Sequence, residues 1–208
     1  GGLFVWNFGS GDTSITANGT VTALNSAAIY ANNMDTSTAS DITINAKNAN
    51  GFTDGIAAFN DGSGSTTITA TGTVIGGVGE TDQTADSDGI YAQNGSIATD
   101  LSITAKDVTG LDDGIEATNK GTGSLSILVT GDVTSTSTDT SDTEYSYGID
   151  ASGSGTDVIV STAGDVTSND RGVFVSNEGS GKTNITSKGT VTAVNSGGID
   201  VLNGDTSK

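Results

Sequence analysis

Apolar residues recur along the chain in three short segments, which follow one another in a fixed order. The first segment alternates apolar and polar residues, as in "SITA", "TITA" and "LSILV", and the second is a short "GTV" or "GDV" run. The third is a nonapeptide, written "DGIYAQNGS" at 88–96 and "DGIEATNKG" at 113–121. Alternation is the period of a β-strand rather than of an α-helix. The pattern therefore predicts many short strands and no substantial helix.

Each nonapeptide contains one anchoring apolar residue, and successive anchors lie 24 to 34 residues apart. The anchors are Leu3, Ile29, Ile56, Ile90, Ile115, Ile149, Val173 and Ile199. A three-part unit at a nearly constant period predicts a β-solenoid, in which each strand pairs in parallel with its equivalent about 4.8 Å away. We predict one all-β domain over 1–208, a single-stranded parallel β-helix with about seven or eight coils of about 25 residues and three short strands per coil. An antiparallel β-sandwich has similar strands but does not require this fixed order.

Two intervals between the second and third segments are longer than the others, at 75–88 and 134–147. Their places in the repeat put both insertions on one side of the solenoid, two coils and roughly 10 Å apart along its axis. Insertions in repeat proteins often form the binding face. We expect any specific binding to involve these loops, with neutral insertions as the alternative.

The composition of the chain limits the kinds of partner and site that it can have. Its 208 residues carry a net charge of −18 and include no His, Cys or Pro. Only seven residues are basic, so the positive charge that phosphate binding requires is missing and we exclude nucleic acid as a partner. No apolar run reaches the roughly 18 residues of a membrane-spanning helix. Without His or Cys, zinc sites and the usual nucleophilic triads are not expected.

The fourth residue after the anchor is Asn in seven of the eight units. These residues are Asn7, Asn33, Asn60, Asn94, Asn119, Asn177 and Asn203, and Gly153 stands at the remaining position. Asn tolerates turn geometry and bonds to its own turn. We expect a structural ladder of stacked amides, each donating to the next, while a metal or glycan site is the alternative.

Three consecutive anchors are preceded, two residues earlier, by Asp54, Asp88 and Asp113. Carboxylates stacked at about 4.8 Å would repel one another by roughly 1 kcal/mol or more. A calcium ion, which takes carboxylate and carbonyl oxygens as ligands, would relieve this repulsion. The sequence thus predicts a calcium site at these residues and no other cofactor. The alternative is a set of Asp-Gly turns with solvated charges.

Aromatic residues concentrate at outward positions of the third segment and in the second insertion. They include Trp6, Tyr30, Phe59 and Tyr91 on the strands, and Tyr145 and Tyr147 in the insertion. Exposed rings on one sheet face suit sugar stacking or partner docking. Glu116, Asp150 and Asp200 interrupt the pattern, and loops lying over this face are the alternative explanation.

The blocks "DGIYAQN" and "GTGSLSILVTGDV" (121–133) stand in an acidic chain without Cys that is rich in Gly, Ser and Thr. In these features the whole chain resembles the parallel β-helix of autotransporter (type V secreted) passenger domains. The resemblance implies a right-handed helix, and an extracellular location or a place on the outer surface of a Gram-negative cell. It also implies a role as an adhesin, a stalk or a self-associating module.

We therefore predict a non-enzymatic surface adhesin or stalk that acts through multivalent side contacts. Its expected partners are a host or neighbouring-cell surface protein or glycan, or other copies of the chain arranged end to end or side by side. A carbohydrate-active β-helix enzyme is the main alternative, because the 25 acidic residues could include a catalytic pair. Arg171, the single arginine, would then lie near them. Ice binding through Thr on the first strand is a minor alternative.

Overall fold

The computed structural model describes residues 1–34, 40–138 and 145–204, which contain 18 strands and no helix. The prediction of an all-β chain is thereby confirmed over this part of the sequence. The strands are β1 Leu3–Asn7, β2 Thr13–Thr22, β3 Ile29–Asn33, β4 Ile42–Asn50, β5 Ile56–Asn60, β6 Thr66–Ile75, β7 Ile90–Asn94, β8 Leu101–Gly110, β9 Ile115–Asn119, β10 Leu125–Val129, β11 Val133–Ser135, β12 Tyr147–Gly153, β13 Val158–Thr162, β14 Val166–Ser168, β15 Arg171–Asn177, β16 Thr183–Ser187, β17 Val191–Ala193 and β18 Ile199–Asn203. The described residues include no helix that is long and apolar enough to cross a membrane.

The nonapeptides form one sheet, called sheet A, in which eight strands follow the order β1-β3-β5-β7-β9-β12-β15-β18. All neighbours are parallel, and the anchors lie in register along the sheet. Ile90, for example, pairs with Ile56 on one side and with Ile115 on the other. Each repeat therefore contributes one strand to sheet A and places its anchor directly over that of the previous repeat.

The first and second segments lie together in a second parallel sheet, called sheet B. In β2, β4, β6 and β8 the two segments are one continuous strand, and the pairing of these strands includes register shifts such as that between Ala17 and Thr20. Further along they separate, so that β10 and β11 both pair with β8. The prediction of three separate strands per repeat thus holds only where the strand divides. Elsewhere a local irregularity bends the strand without ending its pairing.

The core consists of columns of inward-facing side chains contributed by successive repeats. Ile44, Ile68, Ile103 and Ile127 stack in register and are fully buried. The next residue along β10, Leu128, points outward and is 42% exposed. Because each repeat shares its core with two neighbours, a few Ile, Val and Ala residues per repeat suffice. The 18 parallel strands in two sheets are consistent with a β-solenoid.

Candidate functional site

The two insertions lie beside one another. In the first, Gly77 and Gly79 adopt φ angles of 74° and 85°, a left-handed conformation that glycine accepts without strain. The Gln83 side-chain oxygen accepts hydrogen bonds of 3.1 Å from both the backbone N–H and the hydroxyl of Thr138 in the second insertion. Residues 139–144 of the second insertion lie outside the described residues. Within the described part, the insertions are close enough to bond directly.

A cleft of about 270 Å³ opens beside these insertions and is lined almost entirely by acids and tyrosines. Its lining residues, here named the acidic cleft, are Asp86, Asp112, Asp113, Glu116, Tyr145, Tyr147 and Asp150. Asp86 comes from the first insertion, Glu116 from β9 and Asp150 from β12. The cleft is therefore assembled from both insertions and from the repeats that follow them.

The three stacked aspartates predicted to bind calcium form a chain of backbone contacts. Asp54 Oδ1 accepts a hydrogen bond of 3.2 Å from the Asp88 N–H, and Asp88 Oδ1 accepts one of 3.0 Å from the Asp113 N–H. Asp113 Oδ1 in turn accepts a hydrogen bond of 2.7 Å from the Tyr147 N–H. One oxygen of each carboxylate thus accepts a hydrogen bond from the backbone of the next repeat. These bonds offset part of the repulsion predicted between the carboxylates.

The carboxylates that approach closely enough to share a cation differ from the predicted set. Among the described residues, one carboxylate oxygen from each of Asp86, Asp88 and Glu116 lies within 4.8 Å of the other two. Oxygens of Asp88, Asp112 and Asp113 form a second such group. Asp88 belongs to both groups, and Asp54 belongs to neither. The sequence pattern did not single out Glu116 for this role, although a charge at a position that several repeats fill with an aromatic residue was a signal.

Burial changes the acidity of the cleft. Burial, followed by the charge of Asp150, raises the pKa of Glu116 to about 7. Burial also raises the pKa of Asp150 to about 6, although a hydrogen bond from Ser152 and the charge of Arg171 lower it. Glu116 and Asp150 are partners on adjacent parallel strands. The cleft therefore holds two neighbouring carboxyl groups whose pKa values are close to neutral pH.

The deeper acids are affected in the same direction. Burial, and then the charges of Glu116 and Asp86, raise the pKa of Asp88 well above its usual value. Burial and the Asp88 charge do the same for the pKa of Asp113. The pKa of Asp54 rises to about 6 through burial, against the effect of the Asp88 N–H. Protons or a cation are thus favoured throughout this stack.

An aromatic column runs along the outward face of sheet A towards the acidic cleft. It comprises Phe4, Trp6, Tyr30, Phe59 and Tyr91, and the ring centroids of successive pairs are 5.2 to 6.4 Å apart. Trp6 is 57% exposed and Phe4 is 42% exposed, whereas the other three rings are half-buried. Tyr91 pairs in register with Glu116 of the next strand. The outward face of sheet A thus carries the aromatic column in one half and the acidic cleft in the other.

Arg171, the first residue of β15, contacts two tyrosines of the cleft. Its guanidinium carbon is 5.0 Å from the ring centroid of Tyr145, 5.8 Å from that of Tyr147 and 5.2 Å from that of Phe174. Its Nε is 3.4 Å from Asp200 Oδ2, within ion-pair distance but without hydrogen-bond geometry. The arginine therefore holds the aromatic wall of the cleft through cation–π contacts.

The predicted ladder residues stack at the ends of the sheet A strands, and they bond mainly to their own turns. The side-chain oxygens of Asn60 and Asn119 accept the N–H two residues further on, and their amide nitrogens donate to nearby backbone carbonyls. Among the described residues, one direct amide-to-amide bond joins Asn33 to Asn60 at 3.4 Å. The expectation that each amide donates to the next is therefore wrong at most steps, because turn carbonyls are closer partners.

The position occupied by Gly153 shows why one repeat lacks the amide. A Cβ at Gly153 would lie 2.5 Å from the Val158 side chain. A methyl group of Val158 thus fills the space that an amide side chain would need. The stack is thus part of the turn structure rather than a ligand site.

Comparisons of the chain with protein-family models, with curated protein sequences and with solved structures returned no match.

Proposed function

We propose that the chain is a segment of a secreted or surface-exposed bacterial β-solenoid that serves as a non-enzymatic adhesin or stalk. In this proposal it is a right-handed, single-stranded parallel β-helix of about seven or eight coils, related to autotransporter passenger domains. The in-register stacking of anchors in sheet A supports the repeat on which the proposal rests. Extended solenoid faces offer long surfaces for multivalent contact.

The observation that carries the proposal is the aromatic column beside the acidic cleft. Aromatic rings present flat apolar faces, which suit the C–H faces of sugar rings. Carboxylates next to them can accept hydrogen bonds from sugar hydroxyl groups. With a net charge of −18, the chain repels anionic partners. We therefore propose a neutral glycan as the ligand, lying along sheet A from Trp6 towards Glu116.

Substitutions in the aromatic column are expected to weaken glycan binding. Trp6→Ala and Tyr30→Ala should each reduce binding to a panel of immobilised neutral glycans by about tenfold or more, because each removes a stacking surface. The matched control is Leu128→Ala, which removes an exposed apolar side chain from sheet B. Because Trp6 is the single tryptophan, its fluorescence should also change when a bound glycan covers it.

Equal binding by the wild type and both aromatic variants would contradict the glycan proposal. Binding of the wild type to cell-surface proteins after glycan removal would favour a protein partner instead. Sedimentation of the unliganded chain as oligomers that the variants abolish would assign the column to self-association. These results separate the three kinds of partner.

A second candidate function, glycan hydrolysis, is favoured by the pairing of Glu116 with Asp150. Neighbouring parallel strands are about 4.8 Å apart, so side chains paired in register can bring their carboxyl groups to the roughly 5–5.5 Å separation of retaining glycosidases. Glu116, with its pKa near 7, would donate a proton to the leaving oxygen. Asp150, nearer to Arg171 and more acidic, would attack the sugar as the nucleophile. Water, deprotonated by Glu116, would then break the bond between the sugar and Asp150 and release the reducing end.

The hydrolysis candidate predicts release of reducing ends when the purified chain is incubated with neutral oligosaccharides. Glu116→Gln should lower that rate by about a hundredfold or more, since amides cannot donate the proton. Asp100→Asn, a substitution outside the cleft, is the control and should leave the rate unchanged. If the wild type binds the oligosaccharides but releases no reducing ends, hydrolysis of those glycans is excluded and the adhesin proposal stands.

A further inference from the structure

Asp88 is the least satisfied buried acid of the described residues. Its side chain is fully buried, and its Oδ1 accepts the Asp113 N–H. Its Oδ2 is buried and has no hydrogen-bond partner. A buried carboxylate oxygen without a partner costs free energy, which a ligand or a proton would recover.

The unpartnered oxygen belongs to a carboxylate that closely approaches other acids. Oxygens of Asp86, Asp88 and Glu116 lie within 4.8 Å of one another, a separation that one cation can bridge. Asp86 is exposed at the cleft, so a cation could enter there and retain water ligands. In the first group a backbone N–H engages an oxygen of Asp88 alone, whereas in the second group backbone N–H groups engage oxygens of both Asp88 and Asp113. The first group is therefore the better cation site.

No described basic side chain balances this group. The ion pairs found among the described residues join Lys106 to Asp107 and Arg171 to Asp200, and neither includes Asp86, Asp88 or Glu116. Three carboxylates so close together repel one another, all the more strongly where water is excluded. The arrangement is stable only if protons or a cation compensate the charge.

We propose that Asp86, Asp88 and Glu116 bind a calcium ion. All three offer hard oxygen ligands, and the chain has no His or Cys to favour a softer metal. Calcium tolerates irregular ligand geometry and takes up water to complete its shell, whereas magnesium requires a near-ideal octahedron. The site shares only Asp88 with the set predicted from the sequence.

Such an ion would hold the end of the first insertion against sheet A. Asp86 and Asp88 end the insertion, while Glu116 lies on the outward face of β9. A bound calcium ion would keep Glu116 ionised and would prevent it from donating a proton. The proposal is independent of glycan binding, and it predicts that calcium inhibits any hydrolysis that uses Glu116.

The test is a calcium titration of the chelator-treated chain by calorimetry, combined with thermal melting. We expect one bound Ca²⁺ and a higher melting temperature with millimolar Ca²⁺ than with Mg²⁺. Asp88→Asn keeps an oxygen for the Asp113 N–H but removes the charge, and Glu116→Gln is isosteric. Each should weaken Ca²⁺ binding by about tenfold or more. Asp100→Asn is the control, since Asp100 Oδ1 accepts the Ser124 N–H in a similar way outside the cluster.

A second readout uses Tb³⁺, which substitutes for Ca²⁺ and emits when excited through a nearby aromatic ring. Tyr91 pairs in register with Glu116 and lines a cavity together with Asp86, so Tb³⁺ emission that Ca²⁺ suppresses is expected. Absence of binding heat and of a melting shift at millimolar Ca²⁺ would overturn the proposal. An equal shift in all variants would also overturn it, because that would indicate general charge screening. If Asp88→Asn fails to fold, the exposed Asp86→Asn supplies the same comparison.

Discussion

Gly110→Ala is expected to destabilise the chain by about 3 kcal/mol or more, enough to prevent folding of a marginally stable domain. A Cβ at Gly110 would lie 1.6 Å from the Asp113 carbonyl oxygen and 2.7 Å from the Gly89 nitrogen. Neither backbone atom can move freely, because that carbonyl accepts the Gly89 N–H at 3.0 Å. The contact recurs between Gly76 and the Asp88 carbonyl at 1.9 Å. The close approach is a property of the repeat, and Asp113, whose carbonyl is involved, also lines the acidic cleft.

Urea unfolding followed by circular dichroism measures this effect. Gly19→Ala is the matched control, because a Cβ there would have no atom within 4 Å and Gly19 also lies in a sheet B strand. We expect the control to unfold within about 0.5 kcal/mol of the wild type. Similar unfolding midpoints for Gly110→Ala and Gly19→Ala would show that the close approach of the two backbone segments is absent in solution.

Without calcium, the chain is expected to be more stable near pH 5 than near pH 8, opposite to a protein whose carboxylates are paired with cations. The pKa of Glu116 is raised from 4.5 to about 7, and those of Asp54 and Asp150 from 3.8 to about 6. The folded state therefore holds more protons than the unfolded state between these values, so the free energy of unfolding falls as the pH rises through them. After allowance for solvent screening, each group contributes on the order of 1 kcal/mol.

Unfolding in urea with a chelator, from pH 5 to pH 8, tests this dependence. Glu116→Gln should flatten the pH profile, because it removes one titrating group, whereas Asp100→Asn should leave the slope unchanged. Added Ca²⁺ should raise stability most at pH 8, where the proposed ligands are ionised. A wild-type stability that increases steadily from pH 5 to pH 8 would contradict the prediction. An unchanged slope in Glu116→Gln would assign the effect to overall charge repulsion.

The repeat was predictable because alternation and segment order fix which side chains face inward. Ile103 and Ile127, assigned to the same place in the unit, are register partners in adjacent strands. The continuous strand β2 was not predicted, because a bend made by a register shift looks like a break in the sequence pattern. A continuous strand with a register shift and a pair of separate strands have the same spacing between the two apolar segments, so the sequence pattern does not distinguish them.

The acidic cleft was predicted only in fragments. The sequence indicated that Asp88 stacks between neighbouring aspartates and that the insertions share one side. It did not show that Asp86 approaches Glu116, because that contact depends on the path of an irregular loop, which no periodicity describes. The acceptor role of Asp88 Oδ1 likewise depends on side-chain orientation. The pattern thus gives the register of strands, and tertiary structure decides the contacts of loops.

The bond between Gln83 and Thr138 has a mechanical consequence. Each strand pairs only with its neighbours in the stack, so tension applied along the stacking direction would detach outer repeats one at a time. Gln83 and Thr138 flank an intervening repeat and join the segments on either side of it. Under load, this fastened middle region should be the last to separate, so that the acidic cleft would keep its shape while the outer repeats extend.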